Sequence, residues 1–277
     1  MNKKFEKSSH VFHRPSWPTA AGAHKYRAAQ RFSAWRGGGR LAAGPPAVDA
    51  LLAGGIALRA LHEVVSGAAA HLGATFGFAL VIAAQAVRHA TKAAKSPYAL
   101  WIETDYAALE GGKPYGIGLD SFGLSMDRLL ILRVARPIDA LWGFEEALKS
   151  PALAAVITEL PESGAAADLT ATRRLSLAAR AGNGIGLLLR HRKSPVPTTA
   201  MTRWEVGAAP TERDRFGGFG RTAFDLSLTR NRRGRCGRFI VHWDHERGSF
   251  IPQALSLGLA ETANDRPDRA EEFARAG

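Results

Sequence analysis

The chain has 277 residues, 46% hydrophobic and 22% charged, which is enough apolar material for a full core and excludes an intrinsically disordered chain. Its formal net charge is +12, concentrated at one end: residues 1–45 hold nine Lys/Arg against Glu6 alone, a balance of +8 that leaves +4 for the other 232 residues. A basic arm suits nucleic acid, an acidic partner or a solvated tail, and its Arg-rich, acid-poor character also fits an organellar transit peptide.

No apolar segment follows the first lysines, so a secretory signal is not expected. The single Cys236 excludes an intramolecular disulfide and fits a reducing cytoplasm, the expected location.

In chain order, residues 1–45 read as an irregular, partly helical arm. The glycines at 37–39 and Pro45-Pro46 mark the entry to a compact domain over 46–255. Val48 to Leu52 reads as a short helix, Leu61–Val65 as a strand and Thr75–Ala94 as a helix. Tyr98–Glu103 and Arg128–Val134 read as strands, and Pro137–Lys149 as a helix opened by proline. Leu153–Thr158 is a strand, Leu169–Ala181 a helix and Gly184–Leu189 a strand.

Short apolar strands alternating with helices predict a mainly parallel sheet covered on both faces. After Pro197 the helices stop: Met201–Val206, Ala223–Thr229 and Arg238–His242 predict antiparallel strands appended to the core. Residues 256–277 read as a weakly ordered tail.

No formally charged residue occurs between Glu63 and Arg88. That length could span a bilayer. Gly, Ala, His71 and Gln85 dilute its apolar character, however, so a buried strand, turn and helix is the expected reading, with no membrane partner.

Strand, glycine turn and helix is the layout of a phosphate cradle. Ser66, Gly67, Gly73 and Thr75 stand at the turn, but Ala74-Thr75 occupies the place of Lys-Ser/Thr. Lys92 and Lys95 lie several helical turns away. Asp105 and Glu159, at strand ends, stand where a water-positioning acid and a metal-binding acid would be needed. The expectation is therefore a degenerate nucleotide site without ATPase activity or cofactor; their other reading is as strand-end acids at the sheet rim.

His242 and His245 would point to opposite faces of a strand, which argues against a metal. Arg230, Arg232, Arg233 and Arg235 form a basic hairpin loop, read either as a phosphate contact or as a solvated tip.

Taken in order, these pieces resemble the RecA recombinase core. VDALLAGGIALRALHEVVSG is similar to the lead-in to its first core strand, PYALWIETDYAAL to the second, and PIDALWGFEEALKSPALAAVITELP to the helix and strand carrying the metal-binding acid. FDLSLTRNRRGRCGRFIVHWDHERGSFI resembles the hairpin that closes that core. The missing Lys, Glu159 in place of Asp, and His191 near the position of the DNA-responsive Gln depart from the recombinase pattern.

HEVVSG and LTRNRRGRCGRF resemble ImuA proteins, the RecA-like members of bacterial SOS mutagenesis operons. The resemblance implies a RecA-like α/β core and a non-catalytic role in error-prone translesion synthesis. The partners it implies are RecA, an ImuB-like Y-family polymerase homologue and an alternative replicative-type polymerase; DNA contact is left open. Trp17, Arg27, Arg31, Phe32, Trp35 and Arg36 form the expected docking element of the arm. The alternatives are a DNA-binding module, an ATPase completed by a cation supplied in trans, and a SulA-like inhibitor of cell division.

Overall fold

The structure, a computed structural model, describes residues 39–93, 98–112, 114–160, 168–191, 197–211, 218 and 220–252. Trp17, Arg27, Arg31, Phe32, Trp35 and Arg36 lie outside the described residues, as do residues 256–277.

The elements run β1 (Arg40–Leu41), α1 (Pro46–Leu51), β2 (Ile56–Ala57), β3 (Leu61–Ser66), α2 (Leu72–Lys92), β4 (Tyr98–Thr104), α3 (Asp105–Gly111), α4 (Gly116–Ser121) and β5 (Leu129–Val134). They continue with α5 (Pro137–Lys149), β6 (Leu153–Leu160), α6 (Leu169–Ala181), β7 (Ile185–Arg190), β8 (Thr202–Ala208), β9 (Ala223–Asn231), β10 (Gly237–Asp244) and β11 (Ser249–Pro252).

Nine strands form one sheet in the order β11-β10-β9-β8-β3-β7-β6-β4-β5. From β8 to β5 every pairing is parallel, and β9, β10 and β11 add on antiparallel. The fold is thus the expected α/β arrangement, mainly parallel and flanked by helices, with antiparallel strands at the C-terminal end.

Several details differ from the sequence reading. The first strand after Pro197, β8, lies parallel beside β3 and belongs to the core. The β1–β2 pair, α3, α4 and β11 were not expected, because two-residue strands and one- or two-turn helices leave no periodic pattern. Leu41 and Ala43 are core residues, so the compact part takes in the end of the segment read as arm.

β3 is central, and all six of its residues are buried. Val64 faces the cluster built on α2; Leu61 faces the one built on α5 and α6. α2 carries small residues, Ala79, Ala83 and Ala84, fully buried against the sheet, which permits close helix–strand approach. The segment Ala69–Lys92 is long and apolar enough to cross a membrane, and two thirds of its most apolar window (67%) is buried within the fold.

Side-chain caps open two of the other helices. Thr104 Oγ1 accepts from Ala107 N–H at the start of α3, and the Asp168 carboxylate from Ala171 N–H at the start of α6.

β8, β9 and β10 alternate buried and part-exposed residues. Their inner side chains join Phe78 in an aromatic cluster with Trp204, Phe224, Trp243 and Phe250. One face of this half is packed and the other is polar, as is usual for antiparallel sheets.

Candidate functional site

The turn between β3 and α2 sits at the carboxyl edge of the sheet, where β3 separates strands reached in opposite directions. That is where ligands bind in open α/β sheets. Its local chemistry is closed. Ser66 is fully buried and its Oγ donates to Ala68 O at 2.6 Å. Gly67 N–H donates to Val206 O, and the chain passes through one 3-10 turn (Ala69–His71) into α2.

Thr75, 1% exposed, donates its hydroxyl back to His71 O at 3.1 Å, so the group is buried and turned back along the helix. His71 Nδ1 accepts from Ala208 N–H at 3.2 Å and closes the turn onto β8. Neither Gly67 nor Gly73 has positive φ, and a Cβ on Gly73 would meet nothing within 4 Å.

Where a phosphate loop brings a cation, this turn has acids beside it. Glu205 Oε1 stands 3.4 Å from the position of a Cβ on Gly67. Asp225 is held below the ordinary carboxyl range chiefly by its bond to Arg238, with a smaller pull from His71. Glu205 repels a polyphosphate, whereas Asp225 is paired with Arg238.

Glu159, near the end of β6 and 3% exposed, lies 2.6 Å from Nε2 of His191, the first residue after β7. Phe76, in the first turns of α2, stands edge-on to both His191 and Trp101 and covers the pair from the helix side. The expected metal-binding acid is therefore occupied by a side chain of the protein itself.

Asp105 follows β4, the strand beside β6, but does not stand at the β3–α2 turn. β4 is separated from β3 by β7 and β6, and Asp105 is exposed in the first turn of α3, where a carboxylate favours the helix dipole. Among the described residues no group of three His, Cys, Asp or Glu side chains could hold a metal ion.

Three buried polar groups have partners that the sequence reading did not foresee. Glu63, fully buried in β3, accepts from Arg190 of β7 (3.1 and 3.3 Å) and from Arg203 of β8 at 2.7 Å. The signal was a Glu inside an apolar strand, which demands cations from both neighbours. Glu103 of β4, 2% exposed, takes two bonds from Arg133 of β5. His62 Nε2 bonds Ala57 O at 2.8 Å and its Nδ1 faces Thr202 Oγ1 at 2.6 Å; burial lowers its pKa to about 4.

The basic loop lies at the opposite edge of the sheet. Arg230, Arg232 and Arg235 are exposed and Arg233 is half-buried. Asn231 organises them: its Nδ2 donates to Leu51 O and Arg235 O, and its Oδ1 accepts from Arg233 N–H.

Fold and site together define an α/β protein that keeps the strand–turn–helix layout of a nucleotide site and fills it with its own side chains. Among solved structures the chain is similar to that of the RadB recombinase, at 16% identity and a TM-score of 0.49, over 74% of this chain and 96% of that one. No family model matches the chain, and no curated protein matches it.

Proposed function

We propose that the chain is a non-catalytic, RecA-like accessory protein of the ImuA type. It acts in SOS-induced, error-prone translesion synthesis by binding RecA, an ImuB-like polymerase homologue, or both. The sequence resemblance supports this reading, and so does the turn. A site that lacks its Lys, buries its Thr75 hydroxyl and pairs Glu159 with His191 is poorly equipped to grip magnesium triphosphate.

The observation that carries the partner-binding reading is β5. It is the outer strand of the sheet, with one row of backbone groups outside the ladder, and it exposes Leu130 (50%), Ile131 (43%) and Leu132 (38%). Trp142 of α5 is also exposed. The opposite outer strand, β11, is four residues long and ends in Pro252, a usual way of blunting an edge. An unblunted apolar edge suits strand addition by a protein partner. We assign this edge to a RecA protomer.

The test is co-elution of the nuclease-treated chain with RecA at physiological salt without nucleotide. A complex lost in the variant Leu130→Lys/Ile131→Lys, with circular dichroism unchanged, is the expected result. No complex with RecA, alongside capture of the polymerase homologue, would transfer the edge to that partner; capture of neither would sink the reading.

A further inference from the structure

Six arginines from four segments of the chain meet at the edge where β3, β7 and β8 begin, opposite the Glu159–His191 pair. Arg59, directly ahead of β3, donates its N–H to Gly184 O and its guanidinium to Arg180 O at 3.2 and 2.5 Å, at the end of α6. It holds φ 53, a left-handed conformation uncommon outside Gly, Asn and Asp. Arg232 donates its N–H to Met201 O and its guanidinium to Thr199 O, just ahead of β8. Arg40 bonds Leu52 O at 2.6 Å and Gly55 O at 3.1 Å.

These bonds go to backbone carbonyls and fix where the guanidinium groups of Arg40, Arg59 and Arg232 sit. Burial, and then the positive charge of Arg230 and Arg180, holds Arg232 below its ordinary pKa; burial and Arg40 do the same to Arg233. Arg232 thus lies within electrostatic reach of Arg230 and Arg180, and Arg233 within reach of Arg40. The one acid of α1, Asp49, is turned inward to Ala43 and Gly44 N–H.

We infer that Arg40, Arg59, Arg180, Arg230, Arg232 and Arg233 form a binding edge for the phosphodiester backbone of nucleic acid, independent of base sequence. Guanidinium forks match phosphate oxygens, and several like charges along one edge fit a repeating polyanion better than a single small anion. The six side chains offer no aromatic face on which to stack bases. The edge is distinct from the β5 surface, so failure to bind RecA leaves this inference standing.

The test uses the full chain and a labelled DNA duplex of about 30 base pairs, with affinity followed by anisotropy between roughly 50 and 200 mM salt. Affinity should fall steeply with salt. The variant Arg230→Gln/Arg232→Gln should bind at least about tenfold more weakly, with a salt slope shallower by about two; Arg230→Gln alone, at an exposed position, should lower the slope by about one. Removal of residues 1–38 should leave that dependence on Arg230 in place. Parent-like binding by both variants overturns the inference. So does complete loss of binding on removing residues 1–38, or capture by anionic vesicles or polyglutamate without capture by the duplex.

Discussion

His191 Nε2 lies 2.6 Å from Glu159 Oε1, at the strand ends where a working nucleotide site would hold its metal. The Glu159 side chain is 5% exposed, so that ring takes the place of solvent beside its carboxylate. His191→Ala leaves a buried carboxylate without its partner and should cost about 1–3 kcal/mol, read from the midpoint of urea unfolding. A coupling energy near zero in the cycle with Glu159→Gln would show the contact to be idle.

Restoring one missing piece should not restore the site. Ala74→Lys supplies a cation, yet Thr75 stays buried, Glu159 stays paired with His191 and Glu205 still faces the turn. Calorimetric titration with magnesium-ATP should show no saturable binding for either protein. Submillimolar affinity in the parent would return the ATPase reading.

The turn glycines should be dispensable. Gly73→Ala meets open space in the first turn of α2 and should be neutral or stabilise by up to about 1 kcal/mol. Gly184→Ala is the contrast: its Cβ would lie 2.5 Å from Leu153 O and 2.7 Å from Ala154 O, a backbone clash worth about 1–3 kcal/mol or more. Thermal melts of the two variants should move in opposite directions or differ by several degrees.

Glu63 is fully buried between Arg190 and Arg203. Glu63→Gln removes the carboxylate charge shared by two guanidinium groups that are 14% and 19% exposed, and should cost about 3–5 kcal/mol. Glu63→Leu combined with Arg190→Met and Arg203→Met should recover most of that stability. A triple variant as unstable as the single one would show that the site needs its charge.

Acid should weaken the fold through His62. Its pKa falls from 6.5 to about 4 in the native protein because burial disfavours the imidazolium. As pH drops below about 6.5 the unfolded chain takes up a proton that the native state refuses, so stability falls with pH until about 4, where the native ring also protonates. The total is about 3 kcal/mol, and His62→Asn should remove that slope from a pH series of urea midpoints. Asp225, held low by Arg238, adds a separate loss at lower pH as it protonates.

The sequence by itself determined the alternation of strands and helices, because burial on two faces forces apolar runs on strands and Pro or Gly at their ends. α5 and α6 fall on the expected residues, and the absence of Lys from the turn is a fact of composition that no folding could amend. Tertiary structure alone decided which side chains meet. Glu159 and His191 are 32 residues apart, and Glu63 and Arg203 are 140 apart; both pairs form only because sheet order sets their strands or strand ends close together.

The same holds for the arginine edge. Arg59, Arg180 and Arg232 share no motif, and they converge because α6 ends where β3 and β8 begin. Strand order follows from how layers pack over long sequence separations, and local periodicity carries no record of that.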